Sequence, residues 1–303
     1  KHFLREGLLM RFRISIILSI CLFLIYGLIL ITNSLEGFPE KMYVDKIFPY
    51  LADKPVGEDG YYMLTVAWNM ADGHGIVYNY NKATTGIQPL STFIYAGLAW
   101  VCKLFGGNKW LFIRYVLAFG IINLLVFSHI IGTIARALLK DRQSLRNLAF
   151  ISGFLITLFN FSLFRLFTYG LETGIYLTLF SMCILYTITT VSSPLKKIKL
   201  KEAIVLGILF GLTGLSRIDF GVVLLFFLSL CVLLRYIKLK WAVLIGGIAI
   251  IVLTPWFFYV HMITSSWIPS SGLAQSSFIT TDSALGRMQS MVISLIGYLT
   301  PFL

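Results

Sequence analysis

The chain has 303 residues, of which 58% are apolar and 13% charged, and its net charge is +12. A soluble domain of this size carries roughly a quarter charged residues, so the composition excludes an ordinary soluble globular protein. The basic residues cluster between apolar runs, as in the cytoplasmic loops of membrane proteins, and therefore do not indicate nucleic-acid binding. The four cysteines stand singly, without the spacing of a metal site or a disulfide framework.

The apolar runs predict an all-α polytopic membrane protein that forms a single transmembrane module over 1–303. Crossing a bilayer takes roughly 18–20 apolar residues, and we expect about 7–8 spans. Arg217 and Asp219 interrupt the stretch 203–234, which we interpret as a short hairpin. The chain begins without methionine and ends within an apolar run, so we expect a fragment whose C-terminal part is missing. The runs are 14–32, 88–105, 111–135, 147–164, 173–191, 203–216, 219–234, 241–260 and 288–303.

The orientation depends on whether the run 88–105 crosses the membrane. If it does not cross, the N-terminus and the basic loops at 136–146, 196–201 and 235–240 all lie on one side. If it does cross, these loops are separated from the N-terminus. The positive-inside rule favours the first arrangement, with 88–105 lying along the outer interface as a helix.

That arrangement gives a multi-pass protein with a cytoplasmic N-terminus, and we expect the membrane to be the cytoplasmic membrane of a bacterium or archaeon. A first extracytoplasmic loop then covers 33–110, and a second covers 261–287.

A helix is predicted within the first outer loop, between the glycines at 57 and 73. Pro55 and Gly57 precede it, and Gly73 and Gly75 provide the stop signal. Its polar residues recur at steps of three and four, which predicts an interfacial helix with one stripe facing water or a cavity. The stripe consists of Glu58, Tyr62, Thr65, Asn69 and Asp72.

Two adjacent carboxylates, Glu58 and Asp59, stand at the start of this predicted helix. Acids in this position interact favourably with the helix dipole, by about 0.3–1 kcal/mol, and that structural role is one interpretation. The other is catalytic, because an apolar surface would desolvate one carboxylate, raise its pKa and suit it to general-base chemistry. The residues alone leave both interpretations open.

Further motifs follow this acidic pair along the chain. Together with the pair they resemble, in order, those of the GT-C superfamily, membrane glycosyltransferases that use polyprenyl-phosphate sugars. The nearest likeness is to family 39-like and arabinosyl- or mannosyltransferase-like members. Three positions depart from the family pattern: Glu58 where aspartate is common, Gln88 for a histidine and Ser91 for a tryptophan. The motifs are Glu58-Asp59-Gly60-Tyr61-Tyr62, Gly73-His74-Gly75, Thr84-Thr85-Gly86-Ile87-Gln88-Pro89-Leu90-Ser91, Gly170-Leu171-Glu172-Thr173-Gly174, Ser216-Arg217-Ile218-Asp219 and Ile268-Pro269-Ser270-Ser271-Gly272-Leu273-Ala274.

The resemblance implies an inverting transfer of a sugar from a polyprenyl-phosphate donor to a glycan, lipid or protein acceptor on the extracytoplasmic face. Asp59 or Glu58 would be the general base. No metal-ligand cluster and no resident cofactor are predicted, and a role for a divalent cation stays open. The residues assigned to bind substrate or phosphate are Arg217, Arg165, Arg287, Lys82, Glu172, Asp219, Tyr62 and Gln88.

Several alternatives remain at this stage. Arg217 and Asp219 could pair with each other structurally, and Glu172 could pair with Arg165 or Arg217 instead of contacting the acceptor. For the whole protein, a transporter or flippase would carry polar residues along a path through the membrane midplane. A non-catalytic membrane scaffold is the third interpretation.

Overall fold

The computed structural model describes residues 56–79, 82–139, 142–190 and 198–272, together with most of 16–27. The described part of 16–27 is helical, in agreement with the first apolar run. Nine further helices and one small hairpin follow within the described residues. They are α1 (Glu58–Ala71), β1 (Val77–Asn79), β2 (Lys82–Ala83), α2 (Pro89–Leu104), α3 (Lys109–Leu138), α4 (Gln143–Leu158), α5 (Phe161–Thr168), α6 (Thr173–Thr190), α7 (Leu200–Ser216), α8 (Phe220–Leu233) and α9 (Leu239–Thr264).

Three of these helices, α3, α6 and α9, are long and apolar enough to cross a membrane, and α4 with α5 would make a fourth span. By length and composition the chain is therefore an all-α, multi-pass membrane protein. Helices α2 and α8 are apolar but shorter. The larger predicted number of spans remains a prediction, and the run 288–303 lies outside the described residues.

The apolar run 147–164 is not one straight helix. Helix α4 ends at Leu158, α5 begins at Phe161, and the two axes differ by 59°. The side chain of Asn160 accepts a hydrogen bond of 3.0 Å from the Leu163 N–H and so caps the new helix. Asn160 therefore marks where the second helix begins within this apolar run.

The predicted hairpin over 203–234 is confirmed, with α7 ending at Ser216 and α8 beginning at Phe220. Helix α7 packs closely against α9. A β carbon at Gly207 would lie 2.7 Å from Ile248, and one at Gly211 would lie 2.6 Å from Val252. Small residues at such spacing let two helix backbones approach each other, as is common in membrane bundles.

The polar stripe of α1 faces the small hairpin, and the expectation that all of it faces water or a cavity is wrong. Asn69 is only 3% exposed, and its Nδ2 donates hydrogen bonds of 3.0 Å to the carbonyls of Val77 and Tyr78. The Tyr62 hydroxyl lies 2.7 Å from Thr84 Oγ1. The stripe therefore holds β1 and the segment after β2 against α1.

Helices α1 and α2 pack against each other. Lys103 of α2 forms an ion pair with Asp72 and lies 4.1 Å from the centre of the Trp68 ring. Buried residues of both helices share one apolar cluster with α3, including Leu64, Tyr95 and Phe112. The two predicted helices of the first loop are thus part of the folded bundle.

Candidate functional site

The start of α1 lies directly on the turn between α5 and α6. The N–H of Gly57 donates a hydrogen bond of 3.1 Å to the carbonyl of Tyr169. A β carbon at Gly60 would lie 2.4 Å from that same carbonyl oxygen and 3.3 Å from Gly170 Cα. Gly170 has a φ of +80°, a conformation that favours glycine. The acidic motif and the Gly170–Gly174 motif are therefore in backbone contact.

Two further contacts bring three other motifs to the same end of the bundle, whereas Gly73-His74-Gly75 follows the far end of α1. Gln88 Oε1 accepts a hydrogen bond of 3.4 Å from the N–H of Ile218, which joins the start of α2 to the break between α7 and α8. Thr85 Oγ1 accepts one of 3.0 Å from the N–H of Ser270, beyond α9. We call this region the motif end; it comprises 56–60, 84–88, 169–172, 216–219 and 268–271.

Along α3, Gly120 contacts Phe167 near the motif end whereas Gly132 contacts Phe150, so residues 139 and 142 lie at the opposite end of the bundle. In the packing of α7 on α9, Gly207 lies near Ile248 and Gly211 near Val252, so both helices run toward the motif end and begin at the opposite end. That end is basic, and it carries Arg142, Lys199, Lys201, Arg235 and Lys238. The two ends of the molecule therefore differ in charge as well as in motif content.

Glu58 and Asp59 both lie in the first turn of α1, where the helix dipole favours negative charge. Both side chains are exposed. Within the described residues no other part of the chain covers this pair, so the expected desolvation by an apolar surface stays a prediction. Exposure leaves both carboxylates open to a substrate that approaches the motif end.

The desolvated carboxylate at the motif end is Glu172, whose side chain is only 12% exposed. Burial raises the pKa of Glu172. A hydrogen bond from its own backbone and the positive charge of Arg217 act in the opposite direction, whereas the charges of Asp219 and Asp59 raise the pKa further. The charges of Asp59, on α1, and of Arg217, at the break between α7 and α8, therefore both affect the pKa of Glu172. The buried hydroxyl of Tyr95 also lies in this environment, since burial and then Glu172 raise the pKa of Tyr95.

Arg217 stands in an extended conformation directly after α7. Its Nη1 lies 3.8 Å from Glu172 Oε1, and its Nε lies 3.4 Å from Asp219 Oδ2. Its guanidinium carbon is 6.0 Å from the centre of the Tyr176 ring. Both pairings left open by the sequence, Arg217 with Asp219 and Glu172 with Arg217, are present. The Arg217 side chain is still 43% exposed, so a ligand can reach it.

Of the other predicted residues, Gln88 contacts this group. Arg165 is exposed on α5, 5.9 Å from the centre of the Tyr169 ring and not beside Glu172. Lys82 is exposed on β2, and Tyr62 stacks on Tyr78 at 4.7 Å. Gln88 contacts the backbone next to Arg217, as described above. Arg287 lies outside the described residues.

Three tyrosines at the motif end were missed by reasoning from the sequence. The Tyr95 hydroxyl donates a hydrogen bond of 3.0 Å to the carbonyl of Leu171, directly before Glu172. Tyr169 contacts Gly57, and Tyr176 contacts Arg217. Tyr95 stands inside the apolar run 88–105, and a buried tyrosine hydroxyl needs a hydrogen-bond partner. Its position was the one signal in the sequence that could have indicated such a contact.

Comparison with protein-family models, with curated proteins and with solved structures finds no match to this chain. Within the described residues, no group of three or more histidine, cysteine, aspartate or glutamate side chains is arranged to hold a metal ion. The functional argument therefore rests on the geometry of the motif end itself.

Replacing Gly60 by alanine is expected to lower stability, because the new β carbon would collide with the Tyr169 carbonyl, a backbone atom. Overpacking of this kind costs about 1–3 kcal/mol. The matched control is Gly97→Ala on α2, where no atom lies within 4 Å of the added carbon and the helix gains about 0.5–1 kcal/mol. Unfolding of the purified protein in detergent measures both, and a Gly60→Ala variant as stable as the wild type would contradict the contact.

Proposed function

We propose that this protein is a membrane glycosyltransferase that moves a sugar from a polyprenyl-phosphate donor to a glycan, lipid or protein acceptor. The observation that carries the proposal is the convergence of the motif segments. Five segments that are far apart in sequence contact each other at one end of the bundle. They are 57–60, 85–88, 170–172, 217–219 and 270. A shared binding role explains why polar groups from so many segments meet beside an apolar bundle.

The proposed reaction is a single displacement with inversion. A carboxylate of the acidic pair, Asp59 or Glu58, accepts the proton of an acceptor hydroxyl. The acceptor oxygen forms a bond to the anomeric carbon from the face opposite the phosphate, and the bond from that carbon to the phosphate oxygen breaks. The leaving group is polyprenyl phosphate, and the Arg217 guanidinium stabilises its charge.

Asp59 is the stronger candidate for the base. The negative charge of Asp59 raises the pKa of Glu172, which in turn is paired with Arg217. Asp59 is also exposed, as a group that must reach an incoming hydroxyl has to be. Asp59 and Arg217 would then act on opposite sides of the transferred sugar.

The charge difference between the two ends supports an orientation for the proposed enzyme. Cytoplasmic loops carry the excess of lysine and arginine, so the basic end belongs in the cytoplasm and the motif end outside it. Such a placement suits a lipid-phosphate donor and an envelope acceptor in a bacterial or archaeal cytoplasmic membrane. Whether a divalent cation joins the phosphate there is open.

The experiment that tests the proposal is a transfer assay with the purified protein in lipid nanodiscs. Radiolabelled hexosyl and pentosyl polyprenyl phosphates are offered together with glycan, lipid and peptide acceptors. We expect a labelled covalent product and an equal amount of released polyprenyl phosphate. Movement of the intact donor across a proteoliposome membrane, without bond cleavage, would instead favour a flippase.

A further inference from the structure

We propose that Glu172 is a positioning residue that orients Arg217 toward the phosphate of the donor. This inference rests on the proposed function and deepens it. The proposed reaction itself requires only a base and a cation. In addition, Arg217 binds the phosphate well only while the buried Glu172 carboxylate holds its guanidinium in the required orientation.

The backbone that carries Glu172 is held on several sides. The carbonyl of Leu171 accepts the Tyr95 hydroxyl at 3.0 Å, and the carbonyl of Glu172 accepts the Tyr176 N–H at 2.8 Å, in the first turn of α6. Three residues before Glu172, the carbonyl of Tyr169 accepts the Gly57 N–H. Glu172 therefore has a fixed place between α1, α2 and α6.

Arg217, in contrast, has few constraints of its own. It follows the end of α7, and its other ionic partner, Asp219, has a side chain that is 76% exposed. An ion pair with so exposed a partner is weak and does little to fix a long side chain. The buried Glu172 carboxylate is thus the contact that decides where the guanidinium lies.

The geometry of the pair leaves Arg217 able to bind a second anion. At 3.8 Å the contact with Glu172 is an ion pair, longer than a hydrogen bond. Nε faces Asp219 and Nη1 faces Glu172, and within the described part of the chain Nη2 has no partner. A guanidinium has five N–H donors, so a phosphate oxygen can be bound while Glu172 stays in place.

Burial of Glu172 argues against an alternative role as the general base. A base must lie within hydrogen-bond reach of the acceptor hydroxyl. Glu172 is covered on most of its surface and faces Arg217, whereas Asp59 is exposed at the same end. The two carboxylates therefore have separate tasks.

The test compares Glu172→Gln with Glu172→Asp, and uses Glu202→Gln as the matched control. Glu202 lies at the opposite end, where it accepts the Lys199 N–H. Binding of C55 polyprenyl phosphate without a sugar is measured, followed by donor KM and kcat. We expect Glu172→Gln to weaken phosphate binding and raise the donor KM about tenfold, with a much smaller change in kcat. Glu172→Asp should restore part of the loss, and Glu202→Gln should match the wild type.

Stability separates a positioning role from a structural one. Because burial raises the pKa of Glu172, the folded protein takes up a proton at a higher pH than the unfolded chain does, so this residue favours folding more as the pH falls. Glu172→Gln removes the buried charge and is expected to keep its thermal stability at neutral pH. If that variant does not fold, the Glu172→Asp variant decides, since its donor KM should rise severalfold with kcat retained.

The outcomes are distinguishable. If the wild type binds polyprenyl phosphate and both Glu172 variants bind it equally well, the positioning role is refuted and the proposed function stands. If the wild type does not bind polyprenyl phosphate, the proposed function fails, and the inference fails with it. Equal losses in KM and kcat together with lost stability would assign Glu172 a structural role and overturn the inference.

Discussion

Replacing Asp59 by asparagine is expected to reduce sugar transfer at least about a hundredfold, which is the contribution typical of a general base. The change keeps the size of the side chain but removes its ability to accept a proton. Because Asp59 lies in the exposed first turn of α1, the fold and the donor KM should be little affected. Initial rates at saturating acceptor measure the effect. Glu58→Gln, made separately, should show a smaller loss.

The matched control is Asp72→Asn. Asp72 lies at the other end of the same helix and pairs with Lys103, away from the motif end. Its substitution should leave the transfer rate near that of the wild type. Full activity in both Asp59→Asn and Glu58→Gln, with normal amounts of protein in the membrane, would refute the proposed base.

The second large effect is expected at Arg217. Substitution by glutamine removes the positive charge next to the departing phosphate, and loss of one such electrostatic contact typically costs about 10²–10³ in kcat. Lysine should recover only part of the rate, since it keeps the charge but lacks the planar fork that holds Glu172 and a phosphate together. Donor titrations at fixed acceptor give both KM and kcat.

Arg142→Gln provides the control for this charge change. Arg142 is exposed at the opposite end, in the connection before α4. We expect it to have no effect on transfer. An Arg217→Gln variant with the kinetics of the wild type would show that another cation stabilises the leaving group, and Arg165 would then be the next residue to test.

Much of the fold could be predicted from local patterns in the sequence. Pro55 and Gly57 before the acidic pair, and Gly73 after it, placed α1 within two residues of its observed bounds of Glu58–Ala71. Two charges in an apolar stretch located the break between α7 and α8. These features could be predicted because they depend on neighbours in the chain.

The arrangement of the side chains at the motif end depends on contacts between segments far apart in the sequence, which no local pattern encodes. Glu172 was visible as an isolated charge, but its burial depends on the approach of α1 and α2, more than 70 residues away. For the same reason, the burial of Glu172 by the protein itself was not predicted from the sequence. A charged residue at a helix start can be predicted from the sequence, whereas its solvent exposure depends on which other segments pack against it.

The polar stripe of α1 illustrates the same limit. Its spacing predicted one helical face, yet within that face Asn69 and Tyr62 contact the β1–β2 hairpin region, whereas Glu58 is exposed and Asp72 pairs with Lys103. Asn69 reaches the carbonyls of Val77 and Tyr78 only because the chain reverses at Gly73 and Gly75, both with φ of +82°. The two glycines predicted that the helix ends there. They did not predict the direction in which the chain returns.

The structure of the protein with a polyprenyl phosphate bound tests the central claim most directly. We expect the phosphate at the motif end, with an oxygen within hydrogen-bond distance of Arg217 and with Asp59 facing the position that the sugar would occupy. A phosphate held instead at the basic opposite end, near Lys199 or Lys238, would contradict both the proposed site and the proposed reaction.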